Sequence, residues 1–339
     1  MGKRIEWMDL LRGNAILLML LWHATSVPST WFDQSVPRWL FLVNEAVTPL
    51  RMPVLMFLSG MLLAYSMRKP FGVFLEGKLK RLLWPFLIFV TLHNLTMVPM
   101  ENWGNPLQWM QAAHLWYIFN LLIYYLAAPI ATRIPWWIGM PILIAVTAYS
   151  LTTDQVVIRR FLYYAVFFYA GHFLRPHMER ILQARTPWII AGVVVSVGYT
   201  ALSLYLSRDG GQFFRSDVRV LVPVFVMMMT AIYLGARIQR RWPAARPVTA
   251  LNWLGRNSIY FYLSHLALLI AFYKLCDLAG IGVRAWQIPF AFLWALVAGY
   301  VLTRLSKTPP VRWLFEPPEL GRGNRAGTAK APVSPSPTS

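Results

Sequence analysis

Cysteine occurs once in the 339 residues, as Cys276, which excludes an intramolecular disulfide and any cysteine-rich metal site. Six histidines leave metal binding formally open, but no metal-ligand spacing stands out among them. No glycine-rich loop of the kind that cradles phosphate is present, and no internal repeat points to a solenoid or array. Charge is also scarce. Only 13% of the residues are Asp, Glu, Lys or Arg against 57% apolar, too few for a water-soluble domain of ordinary make-up.

What the chain has in excess is apolar sequence in long stretches. Windows of near-spanning length run at about Leu10–Val27, Ala46–Tyr65, Leu82–Met97, Leu115–Thr132, Trp136–Leu151, Phe161–Leu174, Trp188–Leu206, Val218–Ala236, Ile259–Lys274 and Ala285–Thr303. Several are nearer 16 residues than 20, so their ends must extend into polar flanks or pack inside the bundle. Sixteen Trp and fifteen Tyr suit this class, because amphipathic rings collect where hydrocarbon meets headgroup. The expected fold is all-α: a polytopic integral membrane helical bundle of about ten transmembrane helices over residues 1–307. A cytoplasmic, largely disordered tail, rich in Gly, Pro, Ser, Ala and Thr, is expected over 308–339.

Charge between the windows gives an orientation. With the N-terminus in the cytoplasm, the inside segments hold 23 of the 32 basic residues. The outside segments hold eight (Arg38, Arg159, Arg160, Arg208, Arg215, Arg219, Lys274 and Arg284), and Arg51 falls within a span. This bias predicts both termini in the cytoplasm. It accounts for the net charge of +19 through topology and anionic-lipid contacts, without a nucleic-acid partner. Arg12 interrupts the first apolar run and no small-x-small site follows before Pro28, so retention of the first span is expected rather than cleavage as a signal peptide.

Two ionisable residues inside that first run need a reason, since a charge at bilayer depth is costly. Arg12 and His23 are eleven residues apart, which returns a helix to within about 20° of its starting direction and separates them by about 16 Å. Asp9 falls near the same stripe, and together the three predict a polar track facing protein or a water-filled cavity. Each has a plainer alternative: His23 as hydrogen-bonding glue between helices, Arg12 as a snorkelling flank, Asp9 as a helix cap or first-turn acid. Arg51, between Pro49 and Pro53, predicts a broken or kinked second span lining a cavity. Counting residues from the cytoplasmic ends of their spans puts Arg51 and His23 at nearly the same depth, facing one cavity.

Several strings resemble a known family. Asp9-Leu10-Leu11-Arg12-Gly13 followed by His23 is similar to the Asp-x-x-Arg-Gly start and the Arg-x10-His motif of the membrane-bound acyltransferase family 3, whose members acylate envelope sugars and some secondary metabolites. Arg51 to Gly60, ending Phe57-Leu58-Ser59-Gly60, resembles the aromatic-rich Phe-x-Ser-Gly segment of the family's second span. The stretch Lys78-Leu79-Lys80-Arg81, the string His114-Leu115-Trp116-Tyr117, and Leu254-Gly255-Arg256-Asn257-Ser258 through His265 carry the likeness on, over roughly residues 5 to 305. Two departures stand out. The family's Arg-x-x-Arg is Lys78-x-x-Arg81 here, which keeps the charge and loses one guanidinium fork. The Trp-Ser-Leu-x-x-Glu string of many O-acetylases is replaced by Trp116 to Leu121, which places the likeness nearer a sugar O-acetylase and glucan succinyltransferase-like branch.

The resemblance implies an O-acyltransferase of the cell (inner or plasma) membrane. Such an enzyme moves an acetyl or other short acyl group from acyl-coenzyme A, a donor substrate and not a permanently bound cofactor, to a hydroxyl of an envelope saccharide or lipophilic glycoside. His23 would be the general base, helped by Arg12 and Asp9. A transient acyl-His relay is the alternative chemistry. Lys78, Lys80 and Arg81 would meet the donor's phosphates, unless they serve only as positive-inside flanks. Arg51 would contact substrate or the developing oxyanion. His114, Trp116 and His265 would line the acceptor site; a belt Trp and a packed His are the plain alternatives. His93, His172 and His177 are expected to be structural. A saccharide or lipid transporter remains the alternative from another class, since a polar track through broken helices also serves translocation.

Overall fold

The computed structural model describes residues 5–96, 104–105, 108–109, 113–208 and 216–318. Lys3, Arg4, Arg215 and the expected tail from 319 onward lie outside the described residues. Among the described residues the secondary structure is helical, with no strand. The principal helices are α1 (Glu6–Trp31), α2 (Arg38–Ala46), α3 (Met52–Met61), α4 (Phe71–Lys78), α5 (Trp84–Thr96), α6 (Trp116–Ala131) and α7 (Trp136–Tyr149). They continue with α8 (Val156–Leu174), α9 (Thr186–Ser207), α10 (Leu221–Arg241), α11 (Arg246–Arg256), α12 (Ser258–Leu278), α13 (Ile288–Leu305) and α14 (Pro309–Phe315). The described residues of each of the ten apolar windows are largely helical. Among the described residues six segments are long and apolar enough to cross a membrane, and Trp116–Ala131 and Trp136–Thr152 are shorter apolar helices. The chain is an all-α polytopic membrane protein.

Window ends moved where polar flanks could continue a helix. α1 begins four residues before Leu10 and runs through Pro28, and α8 begins at Val156, five residues before the apolar run. The third window is the outer part of a longer helical rod, in which α4 passes through a π-helical turn at Leu79–Leu83 into α5. The second span is broken as the prolines required. A 3-10 turn at Thr48–Leu50 ends at Arg51, whose backbone (φ −95°, ψ −89°) is non-helical, and α3 starts anew with Pro53 in its first turn.

Two helix crossings are made backbone to backbone through glycine. A Cβ at Gly13 would lie 2.0 Å from the Leu251 carbonyl oxygen, and one at Gly255 would lie 1.8 Å from that of Asp9, which fixes α1 against α11. The same reciprocity fixes α3 against α8: Gly60 abuts the Phe168 carbonyl and Gly171 that of Phe57. Lipid offers no hydrophobic drive for such pairing, so close approach of small residues supplies it through dispersion.

A short helix follows the expected boundary at 307 and packs back on the bundle. Thr308 precedes Pro309 and Pro310, which open α14, and Phe315 is buried against Phe89 (ring centroids 5.5 Å apart) and Tyr260 (4.7 Å). The Trp84 indole donates to the Trp313 carbonyl at 2.8 Å. Composition hides this stretch, because two prolines precede an apolar face of only three residues, Trp313, Leu314 and Phe315.

Candidate functional site

A cavity of about 670 Å3 opens beside α1 on the side expected to be outside, where residues of the α2–α3 break, α8 and the 216–220 segment meet. His23 and Trp22 reach it from α1, Arg51 from the broken span, His114 and Trp116 from the start of α6, and Tyr262 from α12. The two depth-matched residues therefore face one cavity, as their residue counts predicted. The Arg51 guanidinium is 5.0 Å above the Trp22 ring and donates through Nη2 to Thr48 Oγ1 at 2.5 Å. Its Nη1 is buried and finds no hydrogen-bond partner among the described residues, as is true of His114 Nδ1.

Trp116 stacks on Tyr164 at 5.2 Å and takes the Arg160 guanidinium against its ring at 4.5 Å. It is thus part of an Arg–aromatic wall and not a belt residue. Opposite it, Asp217 is buried and holds Arg219 through both carboxylate oxygens, with Nη2 to Oδ2 at 2.6 Å and Nε to Oδ1 at 3.1 Å.

His23 is one of three imidazoles that lie edge to face. His265 is wholly buried, with its ring centroid 4.7 Å from that of His23 and 4.7 Å from that of His114. His23 Nδ1 is 3.0 Å from the Met19 carbonyl and 3.3 Å from His265 Nε2. His265 does not line the cavity. The expectation that it touches substrate is corrected accordingly: α12 turns Tyr262 to the opening and His265 into the core. Tyr260, on the same helix, packs on Phe315 instead. Among the described residues no three His, Cys, Asp or Glu side chains are arranged to hold a metal ion.

A file of polar-tipped side chains leads from the imidazoles toward the expected cytoplasmic face. Tyr262 donates to the His114 carbonyl, and its ring lies 5.3 Å from Tyr117. The Tyr117 hydroxyl is 3.2 Å from Ser59 Oγ, and Tyr125 donates to the Ser59 carbonyl at 2.9 Å. Lys78 Nζ lies 3.3 Å from the Tyr125 ring centroid and donates to Ser66 Oγ at 3.2 Å. Arg12 lies close enough to Tyr117 and Tyr125 to interact with both electrostatically, and pairs with the buried Asp9 at 3.5 Å.

Not every expected residue joins this file. Lys80 is exposed and forms an ion pair with Glu76, four residues back, so it turns away from Lys78. The π turn separates the two: Lys78 closes α4 facing inward, while Lys80 and the exposed Arg81 lie on the wider coil. Arg12 and Asp9 stand at the inner end of the track and take no part in the cavity's lining. Sequence reasoning missed Tyr262, Arg160, Tyr164 and Asp217. One signal could have found the arginine: Arg159-Arg160 is a basic pair in an outside segment, where the positive-inside bias gives no reason for it.

The family model described as an acyltransferase domain, that of acyltransferase family 3, matches residues 5–304. The chain is also 23% identical over 370 aligned positions to the inner membrane protein YcfT of Escherichia coli (strain K12), covering 94% of this chain and 98% of the relative. No solved structure matches. Since the family match runs from the first turn of α1 to the last turn of α13, the chain belongs to acyltransferase family 3 and is a membrane acyltransferase.

Proposed function

We propose that this protein moves an acetyl or other short acyl group from cytoplasmic acyl-coenzyme A to a hydroxyl of an envelope saccharide or lipophilic glycoside. The carrying observation is the cavity in which His23 and Arg51 meet a wall of aromatic rings and arginines. Stacking rings suit the apolar faces of a sugar, and guanidinium and carboxylate groups suit its hydroxyls. Both termini are taken as cytoplasmic, on the charge bias. The YcfT relative, named an inner membrane protein, favours the inner or plasma membrane.

In the proposed reaction the His23 Nδ1 proton is held on the Met19 carbonyl, so Nε2 carries the lone pair. As the acceptor oxygen attacks the thioester carbonyl carbon, its proton passes to Nε2. The carbon–sulfur bond then breaks, and the departing thiolate of coenzyme A takes that proton back, leaving His23 neutral. Arg51 Nη1, unpartnered and buried, would stabilise the oxyanion. His114 Nδ1 would accept a hydrogen bond from a second acceptor hydroxyl. Lys78 and Arg81 would hold the donor's phosphates at the cytoplasmic end, with the acyl arm along Tyr125, Ser59 and Tyr117. Arg12, about 16 Å from His23 along α1, would belong to the donor path and not to the reacting atoms.

Purified full-length protein in detergent, given radiolabelled acetyl-coenzyme A and a crude envelope-glycan extract, tests the reading. Mass spectrometry should find an acetyl gain on an acceptor hydroxyl that disappears in His23→Gln. Acetylated glycan formed equally well by that variant would overturn the role of His23, and the absence of any acylated acceptor would overturn the substrate assignment.

A further inference from the structure

We infer that His265 is a positioning residue for His23: its Nε2 is the acceptor that holds the His23 Nδ1 proton and keeps the opposite ring nitrogen bare. The inference rests on His23 being the base. It follows from which atoms can donate. His265 Nδ1 lies 2.7 Å from the Tyr262 carbonyl oxygen and 3.1 Å from that of Phe261. Carbonyl oxygens only accept, so this nitrogen carries the ring's proton, and a neutral imidazole then has a bare Nε2. That Nε2 is 3.3 Å from His23 Nδ1, which also faces the Met19 carbonyl at 3.0 Å. Both neighbours of His23 Nδ1 are acceptors. His23 Nδ1 is therefore the donor in a three-centre hydrogen bond, and its Nε2 is the free base.

The His265 ring has no freedom to choose otherwise. It is fully buried, tied to two carbonyls of its own helix and pressed edge-on by His114, whose Nε2 donates to the Leu263 carbonyl at 3.1 Å. When His23 takes the acceptor's proton, its Nδ1–H is already on two acceptors, one of them the His265 lone pair. This is the task of the third member of a catalytic triad, carried out without a carboxylate. An ionised acid here would stand at bilayer depth, where a neutral ring is far cheaper.

Two measurements on the full-length protein in detergent test the inference. In 15N-histidine NMR spectra, with the His265 signals assigned by their loss in His265→Gln, His265 should carry its proton on Nδ1. A proton on Nε2 would overturn the inference, because His23 would then be the acceptor and its own Nε2 would be blocked. In thiol release from acetyl-coenzyme A with the glycan extract, His265→Asn keeps a donor near the carbonyls and has no atom at Nε2. It should lower kcat at least about tenfold with KM for acetyl-coenzyme A unchanged. His265→Gln, whose amide oxygen reaches the Nε2 position, should recover most of that loss. Full activity in a folded Asn variant, or a folded Gln variant as slow as Asn, would overturn the inference while a dead His23→Gln left the base assignment standing. Activity retained in His23→Gln would instead remove the base itself. If the Asn variant does not fold, the wild-type spectrum and the Gln variant still decide.

Discussion

α1 and α9 are both long enough to cross a membrane unaided, yet they live in different solvents. Within the best 18-residue window, 56% of α1 is buried inside the protein and only 6% of α9. α9 is the more apolar of the two, and greater apolarity does not draw a helix inward, since lipid and protein interior are equally welcome to Leu and Val. Polar groups and small residues do. α1 carries Asp9, Arg12 and His23 and gives up its side chain at Gly13 to meet α11; α9 has no charged residue between Thr186 and Ser207 and lends only one edge, Tyr199 and Ser203, to the cavity. In this fold the interior is chosen by what lipid would refuse.

The sharpest way to break this contrast is at the polar end of α1. His23→Gln should lower acyl transfer by at least about a hundredfold while membrane insertion and the thermal midpoint in detergent stay near wild type. Activity within a few-fold of wild type would reduce α1 to a packing element.

Next in size is the crossing itself. Gly255→Ala drives a Cβ to 1.8 Å from the Asp9 carbonyl, a backbone atom that cannot step aside, so α1 and α11 must separate. Overpacking of this kind costs about 1–3 kcal/mol. It should appear as a lower unfolding midpoint in detergent and reduced transfer, and an unchanged midpoint would show that the crossing bears no strain.

A smaller effect is expected at the end of the file marked by Lys78. Removing the charges of Lys78 and Arg81 should weaken acetyl-coenzyme A binding by about 1 kcal/mol each, with acceptor binding little changed. Burial above all, then Arg81 and Lys69, lowers the Lys78 amine to about 8. Below that pH the amine is an ammonium that attracts phosphate; as pH rises through about 8 the charge and its share of the affinity are lost. Titration calorimetry across pH 7 to 9 should find this decline in the wild type, and a flat affinity in Lys78→Arg. A decline that persists in the Arg variant would assign it to another group.

The smallest change belongs to α9. A Cβ at Gly198 meets nothing within 4 Å among the described residues, so Gly198→Ala should stabilise the helix by no more than about 1 kcal/mol and leave activity alone. A loss of stability there as large as at Gly255 would erase the distinction between the two helices.

Much of this was legible in residue order. Apolar windows located the helices, and the helical phase from Arg12 to His23 located a track. Pro49 and Pro53 around Arg51 located the break, and residue counts put Arg51 and His23 at one depth. What could not be read was rotation. α12 is apolar nearly all round, so nothing in its composition says whether Tyr260 or Tyr262 faces the site, or that His265 turns inward to backbone carbonyls. The π turn at Leu79–Leu83 likewise adds a rotation that no regular helical period contains, which is why Lys78 and Lys80 part company. The apolar face of α14 was hidden for a third reason: Trp313, Leu314 and Phe315 are too few to register as a window.

The glycine crossing also gives α1 the character of a ruler. Gly13 pins the helix against α11, and His23 stands ten residues further on, about 15 Å along a rod that cannot stretch. The height of the His23 imidazole is therefore counted out from the start of α1 and not adjusted at the site. One residue added between Gly13 and His23 would lift the imidazole by about 1.5 Å and swing it by about 100°, off His265 and out of the cavity's reach. The spacing from arginine to histidine is in this sense a measured length, and the glycine after the arginine is its zero mark.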